Sequence, residues 1–170
     1  MLQEELNQIL ESHAKWILGQ GGEYADLTSA NLDFLDLRKA NLCFARMKRA
    51  NLYSVDLTEV NLTYTNLCEA NLREANLRKA NLQKADLEKA YLYRADLEDA
   101  NLQGADLQDA NLRHVNLRKA DLREANLEGA DLSGANLIDA NLIDANTRKA
   151  NFTGVDLRGA KVDKPTFDDE

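Results

Sequence analysis

Residues 75–89 read Ala75-Asn76-Leu77-Arg78-Lys79, Ala80-Asn81-Leu82-Gln83-Lys84, Ala85-Asp86-Leu87-Glu88-Lys89: three copies of one five-residue phrase. Followed outward in both directions, the same register runs from Ala25 to Lys164 as 28 pentads with no insertion. The third position is Leu in 24 of the 28, the exceptions being Met47, Thr147, Phe152 and Val162. The first is Ala in 22 of 28, replaced by Leu35, Val55, Val60, Thr65, Val115 and Val155. The second is Asn or Asp in 25 of 28, with Arg46, Tyr91 and Lys161 outside the rule.

This period excludes the ordinary elements. In an α-helix five residues advance about 500°, so the leucines would wander around every face and make no stripe. In one unbroken strand an odd period would send successive leucines to opposite faces. The apolar pair is spaced by two, so each pentad holds one short extended stretch with two side chains inward. The chain must then turn the same way after each pentad, and repeated turning at constant pitch makes a solenoid. The period alone leaves open how many pentads close one coil.

The phrase Ala-Asp/Asn-Leu-X-X, as in Ala75-Asn76-Leu77-Arg78-Lys79, resembles the pentapeptide-repeat family over 140 of the 170 residues. The resemblance implies an all-β fold, a right-handed quadrilateral β-helix with four pentads to a coil. Pentads 25–164 would then make about seven coils, a rod roughly 34 Å tall at β-sheet spacing. With a coil of twenty residues, the positions following Leu37 give Arg38, Thr58, Arg78, Glu98, Arg118, Ile138 and Arg158 in one column. Opposite charges adjacent in such a column attract, and it reads as a solvated, self-neutralising face. Asn41, Asn61, Asn81 and Asn101 should form an amide ladder at a corner, around a core too full for a ligand.

Three segments follow from this register: 1–24, an N-terminal capping α-helix with a Gly-rich connector; 25–164, the repeats; and 165–170, a tail. Residues 2–18 carry Leu2, Leu6, Ile9, Leu10, His13, Trp16 and Ile17 near one helical face, and Gly19, Gly21 and Gly22 end it. Such a helix would cover the open edge of the first coil, which otherwise invites aggregation. At the other end Thr147 weakens the last turns and Pro165 stops the pattern before Phe167. That end is expected to be capped by the tail or by a second copy, making the protein a monomer or a dimer through its C-terminal end.

Lys and Arg number 21 against 29 Asp and Glu, and the net charge of −8 is spread over both halves. A general nucleic-acid role, which needs a basic footprint, is disfavoured. The first twenty residues do not read as a secretory signal, nothing approaches a membrane span, and two cysteines fit a reducing cytoplasm.

No constellation of catalytic, cofactor-binding or metal-ligating residues emerges. His13 and His114 make no pair with metal or catalytic spacing. The Asp residues recur at outward repeat positions among Lys and Arg. Cys43 and Cys68 follow inward leucines and are expected to point outward on different coils, unbridged. The chain therefore reads as no enzyme, with no cofactor and no small-molecule substrate.

One feature departs from the repeat. In the twenty-residue register Tyr53, Arg73, Tyr93 and Arg113 share a column, with Tyr91, Arg94 and His114 beside it, and Phe44 and Tyr64 stack in a neighbouring one. Tyr and Arg are residues that interfaces favour, and on a rigid rod they lose little entropy on binding. The other reading is an aromatic and cation–π ladder that merely holds register. The leading functional expectation is a non-enzymatic scaffold binding a protein partner on a side face of the rod. The alternative, implied by the resemblance, is an acidic DNA mimic that binds a DNA-processing enzyme such as gyrase.

Overall fold

Each pentad folds as one extended step closed by a tight turn, as seen in a computed structural model that describes residues 1–163. The Leu77 carbonyl accepts the Ala80 N–H at 3.0 Å, and the same four-residue β-turn recurs along the repeats. Its fifth-position residue is left-handed every time, from Ser29 (φ 56°) to Lys149 (φ 57°), with Gly at 104, 129, 134, 154 and 159. A non-glycine residue there costs about 1–2 kcal/mol, so the turn persists only because the surrounding ladder holds it.

That ladder joins residues twenty apart. Asn76 bridges in parallel to Asp96, Asp96 to Asn116 and Asn116 to Asn136, and the bridges extend from Asp26↔Arg46 to Asn141↔Lys161. One turn of the solenoid therefore takes four pentads. Between adjacent turns three backbone bonds recur: Leu77 N–H to the Asp96 carbonyl at 2.7 Å, Lys79 N–H to Glu98 at 3.0 Å, and Asp96 N–H to Ala75 at 2.9 Å. The all-β expectation needs one correction. Among the described residues pairing is by isolated bridges rather than continuous strands, because the turn interrupts the run after each bridged residue.

Inside lie the third-position leucines, all 4% exposed or less from Leu27 to Leu142, with Met47 among them. Burying each is worth about 1.5–3 kcal/mol before ordering entropy is subtracted. Thr65, a polar residue at an Ala position, is fully buried and donates its Oγ1–H to the Leu42 carbonyl at 2.7 Å. Toward the last described turns the core opens: Leu157 and Val162 are exposed. The expected roles of Pro165 and Phe167 lie outside the described residues.

At the second position the Asn amides tie the turns together. Asn61 Nδ2 donates to Asn41 Oδ1 at 2.9 Å and Asn101 to Asn81 at 3.2 Å, two rungs of the expected ladder. Each Oδ1 also accepts the backbone N–H two residues on, as Asn101 does from Gln103 at 3.1 Å. One side chain thus closes its own turn and pins the neighbouring one.

Helix α1 spans Gln3–Ile17. Leu2 donates its backbone N–H to Glu5 Oε2 at 2.8 Å at the start, and Gly19 (φ 67°) accepts the left-handed exit. Leu6 and His13 are buried, and Ile9 and Leu10 pack on the repeat core. Leu2 and Trp16, expected on the same face, are exposed, so the covered stripe is narrower than the periodicity suggested. The helix also supplies the hydrogen bonds that a preceding turn would have made. Gln3 Oε1 accepts the Asp36 N–H at 2.8 Å. His13 Nδ1 accepts the Ala25 N–H at 3.0 Å, which leaves the proton on Nε2 to donate to the Cys43 carbonyl at 3.0 Å. Gly22 lets the connector return under α1: a Cβ there would stand 2.2 Å from the Ser12 carbonyl oxygen.

Candidate protein-interaction face

The fourth and fifth positions of every pentad are the only ones whose side chains leave the ladder, so any recognition surface is built from them and from the rare large second-position residue. Tyr53, Arg73, Tyr93 and Arg113 are all fourth-position residues one turn apart; Arg94 is a fifth-position residue, and Tyr91 stands where Asn or Asp is the rule. Tyr53 and Tyr91 are exposed, as are Arg73, Arg94 and Arg113, while Tyr93 is half-buried.

These residues do not form one continuous stack. The Arg73 guanidinium lies 5.8 Å from the Tyr53 ring centroid, and Tyr53 Oη donates to Glu74 Oε2 at 3.1 Å. That hydrogen bond to Glu74 raises the Tyr53 phenol above its ordinary pKa. Arg73 also donates Nε–H to Asn71 Oδ1 at 2.9 Å. Tyr93 instead takes Arg94 over its face at 5.1 Å and the His114 ring edge-on at 5.8 Å. Arg113 leans toward Asp131, 3.8 Å away. Tyr91 interrupts an amide ladder in which Asn71 Nδ2 reaches Asn51 Oδ1 at 2.8 Å. The column is thus two separate clusters, around Tyr53 and around Tyr93, with Tyr91 exposed beside the second.

A second aromatic series runs where the sequence indicated only its lower half. Phe44 stacks on Tyr64 at 5.1 Å and 3°, as the register implies, and Lys84 Nζ lies 5.6 Å over Tyr64. Trp16 of α1 meets Phe44 edge-on at 6.5 Å and Tyr24 at 6.0 Å, and it stacks on His13 at 5.6 Å. The helix partner was out of reach of repeat arithmetic, because α1 stands outside the register.

The charge column behaves as a ladder at its centre. Glu98 lies between two arginines, bonded to Arg78 Nη1 and, through Oε1, to Arg118 Nη1 at 3.0 Å. The Arg78 hydrogen bond, chiefly, holds the Glu98 carboxyl below its usual range. Arg38 pairs instead with Asp36, two residues back, at 2.6 Å, since Thr58 below it offers no charge.

Cys43 and Cys68 are free, and although both stand at the outward fourth position and outside the leucine core, both are buried. Cys43 lies in the segment that α1 contacts through His13. Cys68 is a short side chain in a column between the longer Lys48 and Glu88. Burial, first of all, pushes both thiols up in pKa. The ligand atoms of Cys68, Asp86 and Glu88 lie within 4.8 Å of one another. Glu88 is bound to Lys89 at 2.5 Å, so the group is partly neutralised from within the chain. His114 is exposed at a corner and shares no such group with His13, which is buried under α1.

Comparison with known proteins agrees with the period and the ladder. The family model of pentapeptide repeats matches residues 25–63, 56–92, 90–129 and 130–164. The chain is a pentapeptide-repeat protein. Among solved structures it is similar to HetL of the cyanobacterium Nostoc, a pentapeptide repeat protein involved in heterocyst differentiation regulation. The two are 31% identical over 80% of this chain and 84% of that one, with a TM-score of 0.39. A pentapeptide repeat protein from the Arabidopsis thaliana thylakoid lumen is 21% identical over 69% of this chain and 68% of that one, with a TM-score of 0.52. QnrB1, a plasmid-mediated fluoroquinolone resistance protein, is 20% identical over 82% and 77%, with a TM-score of 0.51. These last two likenesses establish the fold alone. Among curated proteins none matches the chain. No helix among the described residues of this pentapeptide-repeat protein is long and apolar enough to cross a membrane.

Proposed function

We propose that this pentapeptide-repeat protein is a non-enzymatic scaffold that binds another protein on the side face carrying Tyr53, Arg73, Tyr91, Tyr93, Arg94 and Arg113. The observation that carries the reading is the exposure of Tyr53 and Tyr91 and of three arginines on backbone already fixed by the ladder. Such side chains give contact area at little further entropic cost. The scaffold is a right-handed quadrilateral β-helix of about seven coils over 25–164, with a capping segment at 1–24 and a tail at 165–170. The four-pentad spacing of the bridges supports this. It acts in the cytoplasm, where free thiols such as Cys43 and Cys68 persist. It is a monomer or pairs through its C-terminal end, where Leu157 and Val162 are exposed.

The ladder reading has its own observations, the contacts of Arg73 and Glu74 with Tyr53 and of Arg94 and His114 with Tyr93. An acidic DNA mimic is the poorer fit, because Arg78 and Arg118 flank Glu98 where a mimic needs a continuous acidic stripe. A Tyr53→Ala/Tyr93→Ala double variant separates binding face from ladder. On the proposed reading, affinity capture of a partner from the native cell is lost while the melting curve is nearly unchanged. Normal capture with a lowered melting temperature would sink the proposal and leave the ladder.

A further inference from the structure

The bridge ladder breaks at one place near its start. Bridges join Asp26 to Arg46, Asn31 to Asn51 and Asn41 to Asn61, but none joins Asp36 to Asp56. Flanking bonds are made, Leu32 N–H to the Asn51 carbonyl and Lys39 N–H to the Thr58 carbonyl, both at 3.0 Å. Between them the three bonds that the repeat calls for are missing: Phe34 N–H to Tyr53, Leu37 N–H to Asp56, and Asp56 N–H to Leu35. The cause is legible in the residues. Leu35 stands one turn above Val55 in a column that continues as Ala75 and Ala95, and nowhere else in the repeats do two residues larger than Ala follow each other at this position. The pair is too bulky for the gap, and the turns part.

The parting leaves a cleft of about 520 Å³. Leu35 and Val55 line its inner wall, and Phe34 and Tyr53 flank it. Phe34 is fully exposed at a left-handed corner (φ 64°), an aromatic in water on costly backbone. The rim is acidic. Asp36 is neutralised by Arg38 and held at a pKa of about 2 by that hydrogen bond. Asp33 accepts from Asn51 Nδ2 at 2.8 Å, and Asp56 from Thr58 N–H at 3.0 Å, Thr58 Oγ1 at 2.5 Å and Asn76 Nδ2 at 3.2 Å, all neutral donors, with Arg38 attracting Asp56 only at longer range.

We propose that this cleft docks a peptide segment presenting an aromatic or aliphatic side chain flanked by Lys or Arg. The apolar side chain enters between Phe34 and Tyr53 onto Leu35 and Val55. The free N–H groups of Phe34 and Leu37 and the free carbonyls of Tyr53 and Asp56 offer it main-chain pairing, as an open sheet edge does. The flanking cations meet Asp33 and Asp56. The chain's own Phe167-Asp168-Asp169-Glu170 has the aromatic but charges of the wrong sign. The site deepens the proposed scaffold reading and shares Tyr53 with its face, but it does not use Tyr93.

The test titrates the ¹⁵N-labelled full chain with the capped peptide Ac-Arg-Phe-Arg-NH₂ and follows amide shifts. Saturable shifts confined to residues 33–38 and 53–56 are expected, with Ac-Glu-Phe-Glu-NH₂ and Ac-Arg-Ala-Arg-NH₂ each roughly tenfold weaker. Leu35→Ala restores the common residue and should close the ladder, abolishing these shifts in a protein whose remaining amide spectrum is intact. Tyr93→Ala should leave them unchanged. Loss in Tyr93→Ala with retention in Leu35→Ala would overturn the cleft and leave the side face standing. Equal response to the acidic peptide, or no local shift with any peptide, would also overturn it.

Discussion

His13→Phe tests how the helix holds the open end of the solenoid. Phe keeps a planar ring, somewhat larger than imidazole, but neither nitrogen, so the Ala25 N–H and the Cys43 carbonyl both lose their partner in a fully buried position. Leaving a buried donor or acceptor unmade costs about 1–3 kcal/mol, so two should cost about 2–6 kcal/mol. In a solenoid that loss falls first on the end module, and α1 should detach before the repeats melt. Trp16 is the only tryptophan and packs against His13, Tyr24 and Phe44, so its fluorescence reports the helix alone. Urea titration by Trp16 fluorescence should show an early transition in the variant, with circular dichroism following later. An unchanged Trp16 transition would refute the account of the cap.

The same contact predicts a pH dependence. Burial holds the His13 pKa below its ordinary value, against a smaller opposing effect of the Cys43 hydrogen bond. Protonation would also turn Nδ1 into a donor facing the Ala25 N–H. A folded pKa below the unfolded one means that the contribution is complete above about pH 6.5 and is lost as pH falls through the folded value. Below pH 6.5 only the unfolded histidine takes up the proton, at a limiting slope of about 1.4 kcal/mol per pH unit. Subtracting the His13→Phe profile removes the carboxylates and His114 common to both proteins. The wild-type advantage should shrink from pH 7.5 to 5; an advantage that stays flat or grows would be fatal to the reasoning.

Leu97→Ala, in mid-stack at 1% exposure, should cost about 2–5 kcal/mol in denaturant unfolding, whereas Leu157→Ala, at 41%, should cost well under half as much. At the left-handed corner Lys119 (φ 57°), Lys119→Val should lower the melting temperature while Lys119→Gly leaves it equal or higher; the reverse order would contradict the turn geometry. Gly22→Ala should loosen α1, read as a red shift of Trp16 emission with the repeat circular dichroism unchanged.

Most of the fold is legible because one phrase of three residues recurs with fixed burial. A reader of Ala-Asn-Leu can place every inward side chain from Leu27 to Leu142, and the opposite charges of Arg78, Glu98 and Arg118 meet where a coil of twenty residues puts them. The corner of each pentad carries a signal of its own. The fifth position of the repeats holds Ser, Phe, Lys, Arg, Glu, Tyr, Asp, His or Gly but never Val, Ile or Thr, while the fourth holds Thr28, Thr58, Ile138 and Ile143. That exclusion is what a positive φ demands, since branching at Cβ makes the left-handed region hardest to reach. It marks where in the pentad the turn lies.

The candidate sites were less legible because they depend on what the repeat does not contain. Register puts Arg73 midway between Tyr53 and Tyr93, but it cannot say that its guanidinium lies over Tyr53 and bonds Asn71. Nor does it reveal that His13 replaces the backbone of a missing turn, since α1 has no partner one period away. The cleft is the instructive case. Leu35 and Val55 are both visible as exceptions to Ala, and each alone is tolerated, as Val60 and Val115 are, buried with their bridges intact. Only their adjacency twenty residues apart opens the ladder, so the feature becomes visible once the coil length is known and the exceptions are read down columns. In a repeat protein the informative residues are therefore the coincidences of exceptions. The two breaks in this chain's pattern that lie against each other in space are also where it exposes free backbone, an aromatic corner and an acidic rim only partly offset by Arg38.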